Sequence, residues 1–588
     1  MSGDIISLYR ARLAKEKGFV KKDWGGRLSV ALAYPNYYRL GMSNLGFQIV
    51  YHLLNQRSDV VAERVFLPEG QEMSLHLGAG KPLLSLESQA SLQRFDIVAF
   101  SLSFENDYPN ILKILELAKI PLLSEQRSAP CPFVMAGGVT TFLNPEPLAR
   151  FLDFFLLGEA EANINEFVDA FLEFAALRDD KKEFIKNLAG NVPGLYVPSL
   201  YRPEYHQDGT LKSFFPKDDQ VPEKIKPACS TDEFIDGNTP LSTITTPDTE
   251  FGDKVLVELG RGCGRSCRFC AAGYVYRPPR MHRESDIIAS IDSALERCDQ
   301  VGLLAASVSD IPGIENITSL IVKRGHSFSV SSLRADSITQ GLLDHMKQAG
   351  QRTLTIAPEA GSERLRRLTN KHLTRDRITE TVTLISETSD FSIKLYFLIG
   401  LPTETKNDVA EIVDLVKVIR HNMVKASAAR GRIGQIRLSV NCFIPKPFTP
   451  FQWFPLEQLS SLKEKQKWLK KSLVKEGGIK VNTDLPKWAY VQALLSMGDR
   501  RVGAILLSAH ESGGDWTKAL RFSKINPDFF VYRPKGLNEV LPWDFIDHGI
   551  TKKHLISEYK LALKAKESDV CHVGECYRCG VCSETAES

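Results

Sequence analysis

The chain has 588 residues, 74 Lys and Arg against 71 Asp and Glu, a formal charge of +3 and 43% hydrophobic residues. That length exceeds what one hydrophobic core organises, so several domains are expected, and the composition is that of a soluble globular protein. So balanced a charge gives no whole-chain argument for nucleic acid or a membrane surface; no apolar run is long enough to span a bilayer, and the first residues lack a basic segment followed by an apolar one, which sets the expectation of a cytoplasmic protein.

After an N-terminal segment (1–25), strands are predicted over Leu28–Tyr34, Asp59–Leu67, Phe95–Ser103, Phe133–Gly138 and Asp153–Leu157. Helical patterns lie between them, one ending near Leu53, one over Ile111–Lys119 and one opening after Gly158–Glu161. Short apolar strands alternating with helices predict a parallel, doubly wound Rossmann-like sheet over 26–178. Ligands of such sheets sit at the carboxyl ends of the strands, here Pro35–Gly41, Ser101–Asp107, Gly137–Thr141 and Gly158–Glu161. Residues 179–250, rich in Pro, Asp and Thr, read as a connecting segment with a short strand near Gly194–Val197.

A second alternating series fills 251–460. Strands are predicted over Val255–Leu259, Val301–Ala306, Phe328–Leu333, Thr353–Ala357, Ile393–Ile399 and Ile436–Cys442, with helices over Asp286–Arg297, Ile338–Gln348, Arg375–Glu387 and Glu404–Arg420. Six strand–helix units favour a partial (β/α)6 barrel over an open sheet, with chemistry at the carboxyl ends of its strands. Residues 461–570 read as mainly helical, and 571–588 as a cysteine-rich tail. The expected class is therefore α/β, with a helical C-terminal region.

Eleven cysteines are unevenly placed. Cys131, Cys229, Cys298 and Cys442 are isolated and read as small buried hydrophobes. Close-spaced cysteines in a chain without an export signal read as metal ligands rather than disulfides. Directly after the first barrel strand comes Cys263-x3-Cys267-x2-Cys270. Three thiolates on one loop hold three irons of a 4Fe–4S cluster and leave the fourth open to substrate; a closed zinc site or a ferredoxin cluster wants four ligands. The alternative is a zinc loop completed by a remote residue. Arg261, Arg265 and Arg268 are expected to offset the charge of cluster and thiolates.

This spacing, with Phe269 before the last cysteine, resembles the signature of radical S-adenosylmethionine enzymes. The resemblance implies that the open iron chelates the methionine group of S-adenosylmethionine, that one electron then splits the C5′–S bond to methionine and a 5′-deoxyadenosyl radical, and that Phe269 lies near the adenine. It places further contacts at Ser309, Arg334 and Glu359, at the ends of later strands; the superfamily's glycine-glycine-glutamate turn is absent, and Ser307-Val-Ser-Asp310 stands there instead. An electron donor such as flavodoxin or ferredoxin is implied.

Tyr34-Pro-Asn-Tyr, Phe104-Glu-Asn-Asp-Tyr108, Asn144-Pro-Glu-Pro147, Pro445-Lys-Pro-Phe-Thr449, Gly498-Asp-Arg-Arg501 and Pro542-Trp-Asp544 narrow the likeness to members with an N-terminal cobalamin-binding-like domain and a cysteine-rich tail. No histidine sits in the Asp-x-His-x2-Gly pattern that supplies a lower ligand to cobalt, so bound cobalamin and a bare Rossmann-like substrate platform both stay open. Gly78-Ala-Gly-Lys81 is not a phosphate loop, because the first glycine is missing.

The tail reads Cys571-x4-Cys576-x2-Cys579-x2-Cys582. A second 4Fe–4S cluster and a zinc site are both chemically allowed. The basic stretches Lys463–Lys475 and Arg420–Arg437 read as solvated faces, with nucleic-acid contact as the alternative. Two functions compete: a radical enzyme acting by methyl transfer or sulfur insertion on an unnamed small molecule, peptide or tRNA, and a non-catalytic iron–sulfur or zinc protein that binds RNA or a protein.

Overall fold

A computed structural model describes residues 5–230 and 239–582. The first and last few residues, and 231–238 of the connecting segment, lie outside the described residues.

The N-terminal sheet contains β1 (Leu28–Tyr34), β2 (Val60–Phe66), β3 (Ile97–Ser101), β4 (Phe133–Gly137), β5 (Phe154–Leu156) and β6 (Leu195–Tyr196), in the order β2-β1-β3-β4-β5-β6. The first five pair in parallel; β6 is antiparallel. Every residue of β1 and β2 is buried, as expected where helices cover both faces. The strand order reverses between β1 and β3, the switch point at which such sheets take ligands. The segment read as a connector contributes more than expected: Lys181–Asn191 is a helix, capped by Asp180 accepting from Lys182 and Glu183, and β6 adds to the sheet beyond 178. A hairpin (Tyr201–Tyr205 with Leu211–Pro216) follows.

The central region has β7 (Val255–Glu258), β8 (Gln300–Leu304), β9 (Ser327–Val330), β10 (Thr353–Glu359), β11 (Ser392–Ile399), β12 (Ile436–Cys442) and β13 (Ile479–Thr483). They form two parallel sheets, β9-β8-β7 and β10-β11-β12-β13, joined by a parallel bridge from Leu333 to Ile356. The arc therefore carries a seventh strand, which falls in the region read as helical. Burial alternates strictly along β11. Ile393, Leu395, Phe397 and Ile399 enter the core against the helices Arg375–Thr388 and Lys406–Ser427, while Lys394 and Tyr396 stay half-exposed on the other face. The inner face of this arc is thus partly polar and open.

The C-terminal helices Pro486–Met497, Val502–Glu511 and Lys552–Leu563 clamp the two α/β regions. Asn144 donates to the carbonyls of Ser496 at 3.0 Å and Gly498 at 2.7 Å. Arg500 donates to Glu146 at 2.8 Å. Trp543 donates its indole N–H to Gln452 at 2.8 Å. Among the described residues, no helix is long and apolar enough to cross a membrane.

Candidate cluster loop and adjoining cavity

Cys263, Cys267 and Cys270, each half-buried, lie on the loop that follows β7. The turn into it requires glycine: Gly262 has φ +82°, and a Cβ there would lie 2.4 Å from the Tyr276 carbonyl oxygen. Ser266 also takes a positive φ, 57°, a strained state that persists only when its surroundings over-determine it. They do so here. Asn370 Nδ2 and Tyr274 Oη each donate to the Ser266 carbonyl at 3.2 Å. Arg277 donates to Ser266 Oγ at 2.8 Å and to the Gly273 carbonyl at 2.7 Å. Burial, then the neighbouring Cys267 and Cys263, push the Cys270 thiol up to about 12, so the three sulfurs lie within one another's field. Among the described residues, no three His, Cys, Asp or Glu side chains close around a single ion.

The three arginines of the motif are each held by carboxylates, and Arg265 also lies in the field of Cys263. Arg268 is fully buried; it donates to Glu558 at 3.0 Å and to the carbonyls of Leu368 at 3.0 Å and Lys566 at 2.8 Å. Arg261 binds Glu161 and Glu258 at 2.8 Å each and Glu159 at 3.2 Å. Arg265 grips Asp310 at 2.5 Å and Asp336 at 3.3 Å. A further cation, in the field of Cys267, is Lys371, which sequence reasoning missed. Against the cost of burial, Glu359 and then Cys267 raise its pKa. It sits after a short helix in Thr369-Asn-Lys-His372, a stretch with no motif to mark it.

The other expected contacts gather at the same mouth. Phe269 packs on a separate small apolar cluster that includes Ala360, Leu401, Phe443 and Phe451. Ser309 Oγ accepts from the Arg334 amide at 3.1 Å and from Ser337 Oγ at 2.9 Å, bracing two strand-end loops. Arg334 binds Asp336 at 3.0 Å and the Lys371 carbonyl at 2.9 Å. Glu359 holds Lys371 at 3.2 Å; it ends β10 at a register shift with φ +67°. A non-glycine residue held there marks a site where geometry is imposed.

A cavity of 480 Å³ opens between the two α/β regions. Its floor is apolar, from Val30 and Leu32 of β1 to Ile97 and Ala99 of β3, with Ile49 and Val168 from flanking helices. Its far wall is Gly260, Arg261, Gly262 and Tyr276, so it ends beside Cys263. Three of the four expected strand-end loops line it; Pro35–Gly41 does not, and Asn44–Gly46 at the start of the next helix takes that side. No histidine is among the lining residues. The basic helix is partly committed: Lys465 binds Glu404 and Glu457, both at 2.6 Å.

Two family models match: "Radical SAM proteins, N-terminal" over residues 46–198 and "Radical SAM superfamily" over 257–416. An uncharacterized protein of Methanocaldococcus jannaschii is 30% identical over 481 residues, 81% of this chain and 90% of the relative. A tRNA-2-methylthio-N(6)-dimethylallyladenosine synthase of Desulforamulus reducens is 26% identical over 29% of this chain and 40% of its own length. Solved structures similar to this one include the radical S-adenosylmethionine methyltransferase TsrM of Kitasatospora setae (14% identical, TM-score 0.41, 70% of this chain and 72% of that one). Another is the cobalamin-dependent enzyme OxsB (12% identical, TM-score 0.43, 92% of this chain and 80% of that one).

Proposed function

Because this chain belongs to the radical S-adenosylmethionine superfamily and is an enzyme, we propose that Cys263, Cys267 and Cys270 hold its 4Fe–4S cluster and that it cleaves S-adenosylmethionine reductively. When bound, the cluster supplies the electron that breaks the C5′–S bond and yields methionine and a 5′-deoxyadenosyl radical. The observation that carries the reading is the cysteine loop at the end of β7, with Arg334, Glu359 and Lys371 at the same mouth. Lys371 offers its ammonium beside Cys267, where thiolates and cluster bring negative charge. Glu359 and Arg334 present a carboxylate and a guanidinium for the amino and carboxylate ends of the methionine group. Phe269 supplies an aromatic face at the site for the adenine.

The cavity at the β1/β3 switch point is the place for cobalamin. Its apolar floor suits a buried organic ring. Val30, Leu32, Ile97 and Ala99 would hold the ring against the sheet. With cobalamin there, beside the cluster loop, the reading is methyl transfer to a carbon of an unidentified substrate, with an electron donor of flavodoxin or ferredoxin type.

Anaerobically reconstituted, reduced protein is expected to release 5′-deoxyadenosine from S-adenosylmethionine, and Cys267→Ala to release none. Normal release by a Cys267→Ala variant would remove these ligands from the chemistry.

A further inference from the structure

The cysteine tail is fastened onto the cluster loop. The Cys571 amide donates to the Gly264 carbonyl at 2.7 Å, and Gly264 is bonded to Cys263. The approach is close: a Cβ on Gly264 would lie 3.0 Å from the Cys571 carbonyl oxygen and 3.8 Å from its Cβ. Arg277 ties the same two segments, because the guanidinium that holds Ser266 at 2.8 Å also reaches the Cys579 thiol. Asn370 does so again, donating to the Ser266 carbonyl at 3.2 Å while accepting from the Ser568 amide at 2.8 Å. The Cys579 carbonyl in turn caps the last helix, accepting from the Thr551 amide at 2.9 Å.

Of the four tail cysteines, Cys579 and Cys582 are buried, and Cys571 and Cys576 are half-buried. No tail residue lines the cavity, whereas His572, Tyr577 and Arg578 on the outer side of the tail face solvent. A site with four thiolates leaves no open iron for a substrate. It lies between solvent and the first cluster loop, the position an electron would cross.

We propose that Cys571, Cys576, Cys579 and Cys582 bind a second 4Fe–4S cluster that passes single electrons to the first. A one-electron donor protein of flavodoxin or ferredoxin type reduces the tail cluster from the 2+ to the 1+ state. That cluster returns to 2+ as the first cluster goes from 2+ to 1+; no proton moves and no bond forms or breaks. The through-bond route is short, with a single hydrogen-bond jump: Cys571, its amide, the Gly264 carbonyl, Cys263. The relay rests on the assignment of the first cluster made above; the tail site itself does not.

Two experiments separate these. A Cys263→Ala, Cys267→Ala, Cys270→Ala triple variant, reconstituted anaerobically, is expected to keep about four irons per chain and one reducible paramagnetic signal that added S-adenosylmethionine leaves unchanged. A triple variant holding no iron, or zinc in its place, overturns the tail cluster. In a Cys576→Ser, Cys582→Ser variant, the ratio of flavodoxin-driven to dithionite-driven 5′-deoxyadenosine formation is expected to fall by about tenfold; the single Cys576→Ser, at a half-buried position, gives a second reading should the double variant misfold. An unchanged ratio in a variant lacking the tail iron overturns the relay. If the tail variants hold no cluster that responds to S-adenosylmethionine, the assignment of the first site fails, while the triple-variant result still decides the tail.

Discussion

Asp107 shows what one side chain records about the space around it. It accepts from Asn36 at 2.8 Å at the β1/β3 switch point. Burial, opposed by the Asn36 hydrogen bond and joined by the nearby Glu105, pushes its carboxyl up to about 6. Glu105, two residues earlier, goes the other way: despite burial, Lys446 at 2.5 Å and Gln492 at 2.9 Å hold its pKa low. One motif thus carries two carboxylates with opposed tendencies. For Asp107 the folded pKa lies above the unfolded one, so the folded state binds the extra proton between about pH 4 and 6. Its ionised form therefore weakens the fold as pH rises through that window. Asp107→Asn keeps an acceptor for Asn36 and removes the charge; it is expected to raise stability at pH 8 by up to about 3 kcal/mol, with the gain gone near pH 4. Thermal denaturation at the two pH values reads this, and an equal shift at both would refute it. At this scale the sequence was legible where residue type and spacing suffice, as for Cys263, Cys267 and Cys270. It was silent on Lys371, whose place beside Cys267 depends on a loop one hundred residues away in the chain.

Among the elements, the helix Lys552–Leu563 is held through a residue inside the cysteine motif. Arg268 points away from the cluster loop and satisfies Glu558 and three carbonyl oxygens, those of Arg367, Leu368 and Lys566. Ser568 adds a hydrogen bond to Glu558 at 2.8 Å. Removing the guanidinium strands a buried carboxylate, a loss of about 3–5 kcal/mol. Arg268→Ala is therefore expected to release this helix and the tail behind it, read as faster amide hydrogen exchange over 552–582 than over β11. Uniform exchange in the two segments would show that the helix docks without it. Most strands could be read from their apolar runs, and β1 and β12 coincide with the expected bounds. β13 was hidden because its residues are only half-buried or exposed, an edge without a hydrophobic run. Lys181–Asn191 was hidden by the Pro- and Thr-rich stretch that follows it, although Asp180 is an ordinary N-cap.

At the scale of the whole molecule, the short motifs scattered along the chain act as latches. Asn144 and Glu146 fasten the N-terminal sheet to Gly498 and Arg500, and Glu105 fastens it to Lys446. Arg261 and Arg280 bind Glu159 across the boundary between the two α/β regions, Arg261 at 3.2 Å. These contacts press the carboxyl ends of β1 and β3 toward the cysteine loop and fix the cavity between them. If the cavity holds a cobalamin, blocking it leaves the cluster intact. Ala99 is the place to do so: it lines the cavity from the middle of β3 and is also a buried core residue, so a larger ring there obstructs the cavity floor at an overpacking cost of ~1–3 kcal/mol. Ala99→Phe is expected to abolish corrinoid uptake, followed by visible absorption, while iron content and 5′-deoxyadenosine release match the parent protein. Equal corrinoid uptake by parent and variant would place the cofactor elsewhere. A parent that takes up none would leave the sheet as a substrate platform, and Ala99→Phe would then be expected to alter substrate turnover alone.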